Sequence, residues 1–284
     1  MTILSFGEII WDVYPNKHCI GGAPLNFAAH SAKSGADAYL LSAIGDDELG
    51  SEALREIQKF NVHTDFIGIV PGSPTGQCIV TLDENAIPDY RILDGVAYDR
   101  IALTDEVLSL PFDALAFGTL ALRSRENLNA VNTLVCRGNF KKIFCDLNLR
   151  DPFYDYETVS FCLKSAHILK ISETELEYVI KNILLSTATS HENDLHLLAA
   201  AYHNLEAIIL TCGENGAYAL IRGEKDIYYA PAIPTKVVST VGAGDSFGAT
   251  FLVNYLAGEK ISVCLERATQ RSAYVIAHED AIPN

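Results

Sequence analysis

The stretch Val241-Gly242-Ala243-Gly244-Asp245-Ser246-Phe247 lies between a β-rich segment and an apolar helix predicted over residues 246–257. Its two glycines free the backbone to turn tightly and to approach a ligand closely. Apolar and polar residues at one-turn spacing, from Phe247 to Asn254, predict the helix. A glycine-rich turn that opens a helix presents unpaired N–H groups and the positive end of the helix dipole, and both suit a phosphate.

Asp245 is the unusual residue in such a turn. A carboxylate repels a phosphate, so a loop that only binds anions would avoid one. The residue makes sense where the site also needs a base beside the phosphate that is being transferred. It equally suits a purely structural helix start, because an acidic side chain in the first turn interacts favourably with the dipole. The stretch alone leaves both interpretations open.

The composition is that of a globular enzyme. The 284 residues suffice for one large α/β domain or two small ones, and hydrophobic residues make up 49% of them. The net charge of −15 argues against DNA, RNA or an anionic membrane surface as the main partner. A nucleotide is still compatible with this charge, because it needs only a local patch of donors.

The cysteines and the first residues predict a cytoplasmic protein. None of the seven cysteines forms a C-x-x-C pair, so the sequence has no zinc or dithiol motif, and several lie in apolar strand-like runs. We therefore expect free thiols in a reducing compartment. Residues 1–12 lack a basic start and contain Glu8 and Asp12, which predicts a first strand rather than a signal peptide. No apolar run approaches membrane-spanning length.

Strands and helices alternate through most of the chain. This rhythm predicts a mostly parallel sheet with helices on both faces and a ligand crevice at the carboxyl ends of the strands. The strands are predicted at residues 2–10, 38–44, 114–117, 142–147, 167–171 and 207–211, with a late hairpin at 217–221 and 226–229. The helices are predicted at residues 46–60, 124–136, 157–164, 173–184, 193–204, 246–257 and 262–277.

One segment breaks this rhythm. Short strands are predicted at residues 66–70, 77–82 and about 89–93 without helices between them, and turns are predicted at Pro71-Gly72-Ser73-Pro74 and at Asp83-Glu84-Asn85. Together with residues 11–20, part of this segment is expected to form a small sheet that projects from the main domain. Such a sheet suits a lid, because phosphoryl transfer benefits from the exclusion of water.

A second glycine pair opens another predicted helix, in the stretch Ile20-Gly21-Gly22-Ala23-Pro24-Leu25-Asn26. Pro24 is well placed for a first helical turn. Asn26 lies in that turn, where its amide can bind a hydroxylated ligand or can act as a local cap. Both interpretations of Asn26 are open.

Polar residues cluster after the predicted strand ends. Because the carboxyl ends of parallel strands meet at one edge of a sheet, this clustering predicts a site for a polar substrate. The residues are Asp12 after the first strand, then Asp146, Asn148 and Arg150, then Ser172 and Glu175, and finally Thr211, Gly213 and Gly216.

The two glycine stretches resemble the two signatures of the ribokinase-like (PfkB) carbohydrate kinases, in the family's order, and the resemblance covers essentially the whole chain. It implies a single domain over residues 1–284, a three-layer α/β/α sandwich with a mostly parallel central sheet. A small β-sheet lid would come from about residues 11–20 and 75–98. Within the family, two runs look most like fructokinases: Asp146-Leu147-Asn148-Leu149-Arg150-Asp151-Pro152-Phe153 and Gly95-Val96-Ala97-Tyr98-Asp99.

The resemblance implies transfer of the ATP γ-phosphate to a sugar hydroxyl, with D-fructose as the leading substrate. Asp245 would be the base, and the amides of Gly242, Ala243 and Gly244 would form the anion hole. The implied sugar ligands are Asp12, Gly22, Asn26 and Arg91. The implied nucleotide and phosphate ligands are Arg150, Thr211, Gly213 and Gly216.

The implied cofactor is Mg²⁺, with Glu175 beside it through water. The family often has Asp where this chain has Ser239, and that Asp belongs to a monovalent-cation site. Ser is a poorer ligand, and Asp280 stands in the same region where Gly is common, so a potassium requirement is left open. Ser172 replaces a frequent Asn in the motif that ends at Glu175. A homodimer through the lid is the partner that the resemblance suggests.

Other functions remain open from the sequence. One is a kinase for another sugar or a nucleoside, such as ribose, 2-keto-3-deoxygluconate or adenosine. Another is a non-catalytic nucleotide or sugar sensor on the same fold, although a pure binder has no need of Asp245. A dinucleotide-dependent oxidoreductase is disfavoured, because Gly7-Glu8 after the first strand is not followed by a G-x-G-x-x-G turn.

Overall fold

A computed structural model describes residues 1–82 and 88–284. The turn predicted at Asp83-Glu84-Asn85 lies outside the described residues. In chain order the strands are β1 (Thr2–Phe6), β2 (Ile10–Val13), β3 (His18–Gly21), β4 (Asp37–Gly45), β5 (Val62–His63), β6 (Ile67–Val70), β7 (Gln77–Leu82), β8 (Pro88–Ile92), β9 (Pro111–Gly118), β10 (Asn139–Asp146), β11 (Ile168–Ser172), β12 (Ala207–Thr211), β13 (Ala217–Ile221) and β14 (Ile227–Ala230).

The helices flank these strands, and most begin at a polar cap. They are α1 (Ala23–Lys33), α2 (Glu48–Lys59), α3 (Asp105–Ser109), α4 (Arg125–Arg137), α5 (Tyr156–Ser165), α6 (Glu173–Tyr178), α7 (His191–Ala201), α8 (Ala243–Leu256) and α9 (Ile261–Ile276). A wider turn at Val179–Ile183 continues α6, and single tighter turns lie at Ala97–Arg100, Leu120–Arg123 and Gly213–Asn215.

Ten of the described strands form the main sheet, in the order β14-β13-β12-β11-β10-β9-β1-β4-β5, with β6 paired to β4. The pairs from β12 to β5 and the β4–β6 pair are parallel, and only β13 and β14 join antiparallel. The prediction of a mostly parallel sheet is confirmed. The chain places β4, β5 and β6 on one side of β1 and, after β8, continues with β9 on the other side. This reversal opens a crevice at the carboxyl ends of β1 and β9.

Alternate residues of the sheet face two different helical layers. On β1, Leu4 and Phe6 pack in the core that includes residues of α4, α5, α6 and α7. Ile3 faces the opposite side, where it packs in a core with Phe247 and Phe251 of α8. The helices α1 and α2 cover β4 on this second side. The predicted three-layer α/β/α sandwich is therefore confirmed.

A separate four-stranded sheet has the order β3-β2-β7-β8. Its outer pairs are antiparallel and its central β2–β7 pair is parallel. The indole N–H of Trp11, on β2, donates to the Leu49 carbonyl oxygen at 3.0 Å and ties this sheet to α2. The small sheet predicted from residues 11–20 and 75–98 is thus present, and its action as a lid stays a prediction.

Two predicted element boundaries were wrong. Residues 2–10 form two strands rather than one, because Gly7 has a φ of +145° and turns the chain toward the small sheet. A side chain there would meet Pro24, since an added Cβ would lie 2.5 Å from its Cγ. The helix predicted from residue 246 begins at Ala243, because Gly242 takes a left-handed conformation that starts it earlier. This shift places Asp245 inside the first helical turn.

None of the helices found across residues 1–82 and 88–284 is both long enough and apolar enough to cross a bilayer.

Candidate active site

The first turn of α8 lies at the crevice. Gly242 caps the helix with φ 79° and ψ −5°, a left-handed conformation that favours glycine. A Cβ at this position would lie 2.7 Å from the Ala281 carbonyl oxygen, so the position also lacks space for a side chain. The Ala243 N–H donates to the Thr240 carbonyl oxygen at 3.3 Å, whereas the N–H groups of Gly244 and Asp245 have no partner within the helix and point out of its end. The sequence prediction of a glycine turn that opens a helix is confirmed.

Asn26 and Asp245 meet across the crevice. The Asn26 side-chain amide donates a 2.8 Å hydrogen bond from Nδ2 to Oδ2 of Asp245. Asn26 is buried on α1, which follows Gly22. Of the two interpretations of Asn26, the local cap is wrong, because its amide reaches α8 instead of its own helix end. Burial raises the pKa of Asp245, and the Asn26 hydrogen bond and the charge of Lys170 oppose that rise.

A buried ion pair lies under the α8 turn. Lys170 Nζ donates to Asp146 Oδ2 at 2.7 Å, and both side chains are almost fully buried. A Cβ placed on Gly244 would lie 3.2 Å from Lys170 Nζ, so the ammonium sits directly against this glycine. Burial alone would lower the pKa of Lys170, but the carboxylates of Asp146, Glu175 and Asp245 together outweigh burial, so the net pKa is raised. Lys170 therefore carries a positive charge beneath the predicted anion hole.

Lys170 was missed as a site residue because it lies within an apolar strand. The sequence carries one signal for it, the two-residue period of its strand, and the strand register supplies the rest. Lys170 pairs in register with Asp146 on the neighbouring strand, and it lies two residues after Ile168, which faces α8. The two-residue period of a strand therefore directs Lys170 to the same side of the sheet.

Glu8 is a second missed residue. Its carboxylate is buried after β1 and accepts the Ala23 N–H at 3.3 Å. Burial raises its pKa to about 7, and the nearby Asp245 charge adds to the rise. Gly22 has φ 108°, and a Cβ there would lie 2.4 Å from the Glu8 carbonyl oxygen. The start of α1 is therefore packed tightly against the turn that contains Glu8.

Asp12 and Arg150 face the same crevice. Burial raises the pKa of Asp12 to about 6, and the positive charge of Arg150 opposes that rise. Arg150 lies in the loop after β10, and its charge also opposes the raised pKa values of Glu8 and Asp245. The structure thus groups three carboxylates around one exposed guanidinium.

Arg91 lies apart from this group. In the small sheet Asp12 is in register with Cys78 and Ile92, whereas Arg91 is in register with Ile79 and Val13. Neighbouring rows of a sheet point to opposite faces. Arg91 therefore points away from the face that presents Asp12, and the structure does not bring it to the other predicted sugar ligands.

Three of the four predicted nucleotide and phosphate residues, all except Arg150, line one cavity of about 200 Å³ beside α8. Its wall includes Thr211, Gly213 and Gly216 on one side and Ala243 and Gly244 on the other. A small pocket of about 20 Å³ lies on the other side of the α8 turn, and Asp245, Asp146 and Asn148 line it. The first turn of α8 thus separates a larger cavity from a smaller one.

Glu175 has both carboxylate oxygens in contact with backbone donors. Oε1 accepts the Leu149 N–H at 2.7 Å and Oε2 accepts the Ser172 N–H at 2.8 Å. Ser172 and Glu175 form a reciprocal cap at the start of α6. A carboxylate oxygen has a further lone pair that can hold a metal-bound water, so the magnesium role of Glu175 stays a prediction.

The Ser239 side chain stabilises a local turn before α8. Its hydroxyl oxygen accepts the Val241 N–H at 3.3 Å. Asp280 is exposed on the C-terminal segment that precedes Ala281.

These groups together suit transfer of a negatively charged group to a hydroxyl. A carboxylate with a raised pKa is a better base near neutral pH than an ordinary aspartate. Helix N–H groups and the Lys170 ammonium stabilise negative charge that develops beside that carboxylate.

Comparisons with known proteins identify the family of the chain. The sequence profile of the pfkB family carbohydrate kinases matches residues 5–284. A ribokinase of Arabidopsis thaliana is 28% identical over 272 residues, which cover 93% of this chain and 69% of that protein. A probable fructokinase of the same plant is 25% identical over 277 residues, which cover 88% of this chain and 80% of the relative.

Solved structures show the same fold. An uncharacterized sugar kinase from Pyrococcus horikoshii in complex with ATP has a TM-score of 0.80 and is 22% identical, with 99% of this chain and 94% of that chain covered. A fructokinase from Vibrio cholerae with bound fructose, ADP and calcium ion has a TM-score of 0.82 at 20% identity, with the same coverage.

Proposed function

The chain belongs to the pfkB family of carbohydrate kinases, and from that premise we propose that it transfers the γ-phosphate of ATP to a hydroxyl group of D-fructose. The contact between Asn26 and Asp245 carries the proposal. It joins the helix starts of the two glycine stretches, so that a carboxylate, a polar amide and the N–H groups at the start of α8 share one crevice.

Asp245 acts as the base in this proposal. The sugar hydroxyl oxygen attacks the γ-phosphorus and forms the new P–O bond. The bond between the γ-phosphorus and the β–γ bridging oxygen breaks, and its electron pair leaves with ADP. The hydroxyl proton passes to Asp245. Because the transition state is loose, that proton becomes acidic late, and the protein contributes mainly position and charge stabilisation.

The α8 turn and Lys170 stabilise the phosphoryl group during transfer. The amides of Gly242, Ala243 and Gly244 supply donors at a helix N-terminus, where the dipole adds positive potential. The Lys170 ammonium lies against Gly244 and is held there by Asp146. These groups need no rearrangement as charge develops, which is the main source of electrostatic catalysis.

The sugar binds between α1 and the small sheet. Asn26 Oδ1 is buried and has no hydrogen-bond partner among the described residues. It can therefore accept a hydrogen bond from a sugar hydroxyl. Asp12 and the backbone of Gly22 offer further polar groups. Arg150 faces Asp12 and Asp245. Its guanidinium would contact the γ-phosphate during its transfer to the sugar.

The nucleotide binds in the cavity lined by Thr211, Gly213 and Gly216, and Ala243 and Gly244 on its wall bring the phosphates to the α8 turn. Mg²⁺ bound with ATP would neutralise charge on the phosphate oxygens, with Glu175 holding one of its waters. Potassium is not assumed, because the Ser239 hydroxyl is a weak cation ligand and already accepts the Val241 N–H.

Fructose is favoured among the sugars by the run from Asp146 to Phe153, which resembles fructokinases, and by the fructokinases among the relatives. Ribose is the second candidate, because a ribokinase at 28% identity is among the relatives. The cytoplasm is the proposed location, since all seven cysteines are free thiols.

The test is ADP formation by purified protein with Mg²⁺–ATP and one acceptor at a time: fructose, ribose, 2-keto-3-deoxygluconate and adenosine. We expect the highest kcat/KM with fructose. Turnover of ribose without turnover of fructose would move the assignment to the second candidate. ATP binding by calorimetry without turnover of any acceptor would support a nucleotide sensor instead.

A further inference from the structure

Three side chains of metal-binding type meet beside the nucleotide cavity. They are Glu173 at the start of α6, His191 at the start of α7 and Cys212 directly after β12. Their ligand atoms all lie within 4.8 Å of one another. His191 Nε2 lies 3.1 Å from Glu173 Oε1, and the Cys212 side chain is buried at 2% exposure. No other cluster of three such residues was found within residues 1–82 and 88–284.

The geometry points to a zinc-class metal site: we propose that Glu173, His191 and Cys212 bind one Zn²⁺ ion through a carboxylate oxygen, an imidazole nitrogen and a thiolate sulfur. A mixed set of oxygen, nitrogen and sulfur donors suits Zn²⁺, whereas Mg²⁺ prefers oxygen donors alone. The Cys212 thiol releases its proton to solvent on binding. A fourth position stays open to water.

The distances suit this ion after a small movement. Ligand atoms around a tetrahedral zinc ion lie about 3.3–3.7 Å apart, given the usual bond lengths. The widest pair here therefore closes by at most about 1.5 Å. His191 and Glu173 are partly exposed and can make that movement. The His191 ring packs edge-on against Tyr218, with centroids 5.6 Å apart, and this contact orients the imidazole.

The site is coupled to the nucleotide cavity through the backbone. Cys212 lies between Thr211 and Gly213, and both of these residues line the cavity. A metal bound to Cys212 fixes the start of the turn that runs to Gly216. Because a turn that is already fixed loses less freedom when ATP binds, we expect Zn²⁺ to lower the KM for ATP and to leave the KM for the sugar unchanged. This consequence rests on the proposed kinase function, whereas the metal binding itself does not.

The binding test uses the whole chain, stripped of metal with a chelator. Zn²⁺ affinity is measured by competition with a chromophoric chelator, and Co²⁺ is added in parallel to record the thiolate-to-cobalt absorption band. We expect one equivalent of metal and a cobalt–thiolate band in the natural protein. Cys212→Ser should abolish the band, and His191→Gln and Glu173→Gln should each weaken Zn²⁺ binding by about 10-fold or more.

Matched controls lie elsewhere on the surface. Cys136→Ser removes an exposed thiol, and His196→Gln removes an exposed imidazole on the same helix as His191. Both controls should bind Zn²⁺ as the natural protein does. Unchanged binding in His191→Gln and Glu173→Gln, or loss of binding in Cys136→Ser, would overturn the site. If the buried Cys212→Ser change prevents folding, His191→Gln and Glu173→Gln still test the site.

Kinetics separate the two proposals. At fixed Mg²⁺ and one equivalent of Zn²⁺, the KM for ATP should fall in the natural protein and stay constant in His191→Gln. An unchanged KM in the natural protein, or an equal fall in both proteins, would overturn the coupling to the nucleotide cavity. If no acceptor is phosphorylated, the kinase proposal fails, and the cobalt spectrum still decides the metal site.

Discussion

The side-chain amide of Asn26 donates a 2.8 Å hydrogen bond to the carboxylate of Asp245, although 219 residues separate them in sequence. Each residue lies near the beginning of a helix, Asn26 on α1 and Asp245 on α8. The contact therefore brings together the two helix starts that the glycine stretches open. It also holds one carboxylate oxygen and leaves the other oxygen of Asp245 available for a second partner.

Replacing Asn26 with alanine removes this hydrogen bond. Because the bond lowers the pKa of Asp245 against the effect of burial, its loss should raise that pKa further. A base must be ionised to accept a proton, so the acid limb of the kcat/KM profile should move to higher pH. The loss of a hydrogen bond to a charged group also predicts a fall in kcat/KM of about 10- to 100-fold. Asn129→Ala, an exposed change on α4, is the control and should leave the profile in place.

An unshifted profile in Asn26→Ala, with kcat/KM close to that of the natural protein, would contradict the idea that Asn26 tunes Asp245.

Gly242 and Gly258 offer a matched pair of substitutions. Their φ values are 79° and 77°, so alanine is strained by about 1–2 kcal/mol at either position. A Cβ at Gly258 meets nothing within 4 Å, whereas a Cβ at Gly242 meets Ala281 at 2.7 Å. Urea unfolding should therefore show a larger loss of stability for Gly242→Ala than for Gly258→Ala. Only Gly242→Ala should lower kcat, because it displaces the α8 turn.

Equal losses of stability and unchanged turnover in both glycine variants would contradict this account. The close packing between Gly242 and the C-terminal segment would then affect neither stability nor turnover.

Glu8 makes stability depend on pH. Its pKa is about 7 in the folded protein, against an ordinary value of 4.5, chiefly because of burial. The folded state therefore binds more protons between these two values. The stabilisation is fully present below pH 4.5 and is lost as the pH rises through 7, by about 3 kcal/mol in total. Glu8→Gln cannot ionise and keeps an oxygen that can accept the Ala23 N–H.

The measurement for Glu8 is the free energy of unfolding of both proteins from pH 4 to pH 8. The natural protein should lose about 3 kcal/mol relative to Glu8→Gln over this range. If the free energies of unfolding of the two proteins changed with pH in the same way, the pKa of Glu8 would not be raised by folding.

Much of this arrangement could be predicted from the sequence, because local patterns encode it. The glycine stretches at residues 21–26 and 241–247 carry their own turn signals, and the strand–helix rhythm predicts the parallel sheet. Thr211, Gly213 and Gly216 follow a strand end, where a crevice is expected, and the structure places them around one cavity with the α8 turn.

The other site residues could not be placed from the sequence, because their positions depend on strand register and on contacts between distant segments. The position of Lys170 under Gly244 follows from strand register. Lys170 also lies within an apolar run, which predicted only a buried strand. Arg91 was expected at the sugar, but the register of the small sheet directs it to the face opposite Asp12. Glu173, His191 and Cys212 come from three separate segments without motif spacing, so only the fold brings them together.

The central claim is that Asp245 accepts the proton of the sugar hydroxyl. The direct measurement is kcat of Asp245→Asn with saturating fructose and Mg²⁺–ATP, beside calorimetric Kd values for ATP. Asparagine keeps the shape of the side chain but cannot accept the proton. We predict an ATP affinity close to that of the natural protein and a kcat lower by roughly 10²–10⁴-fold, the usual scale for loss of a general base. Turnover near that of the natural protein would contradict the account.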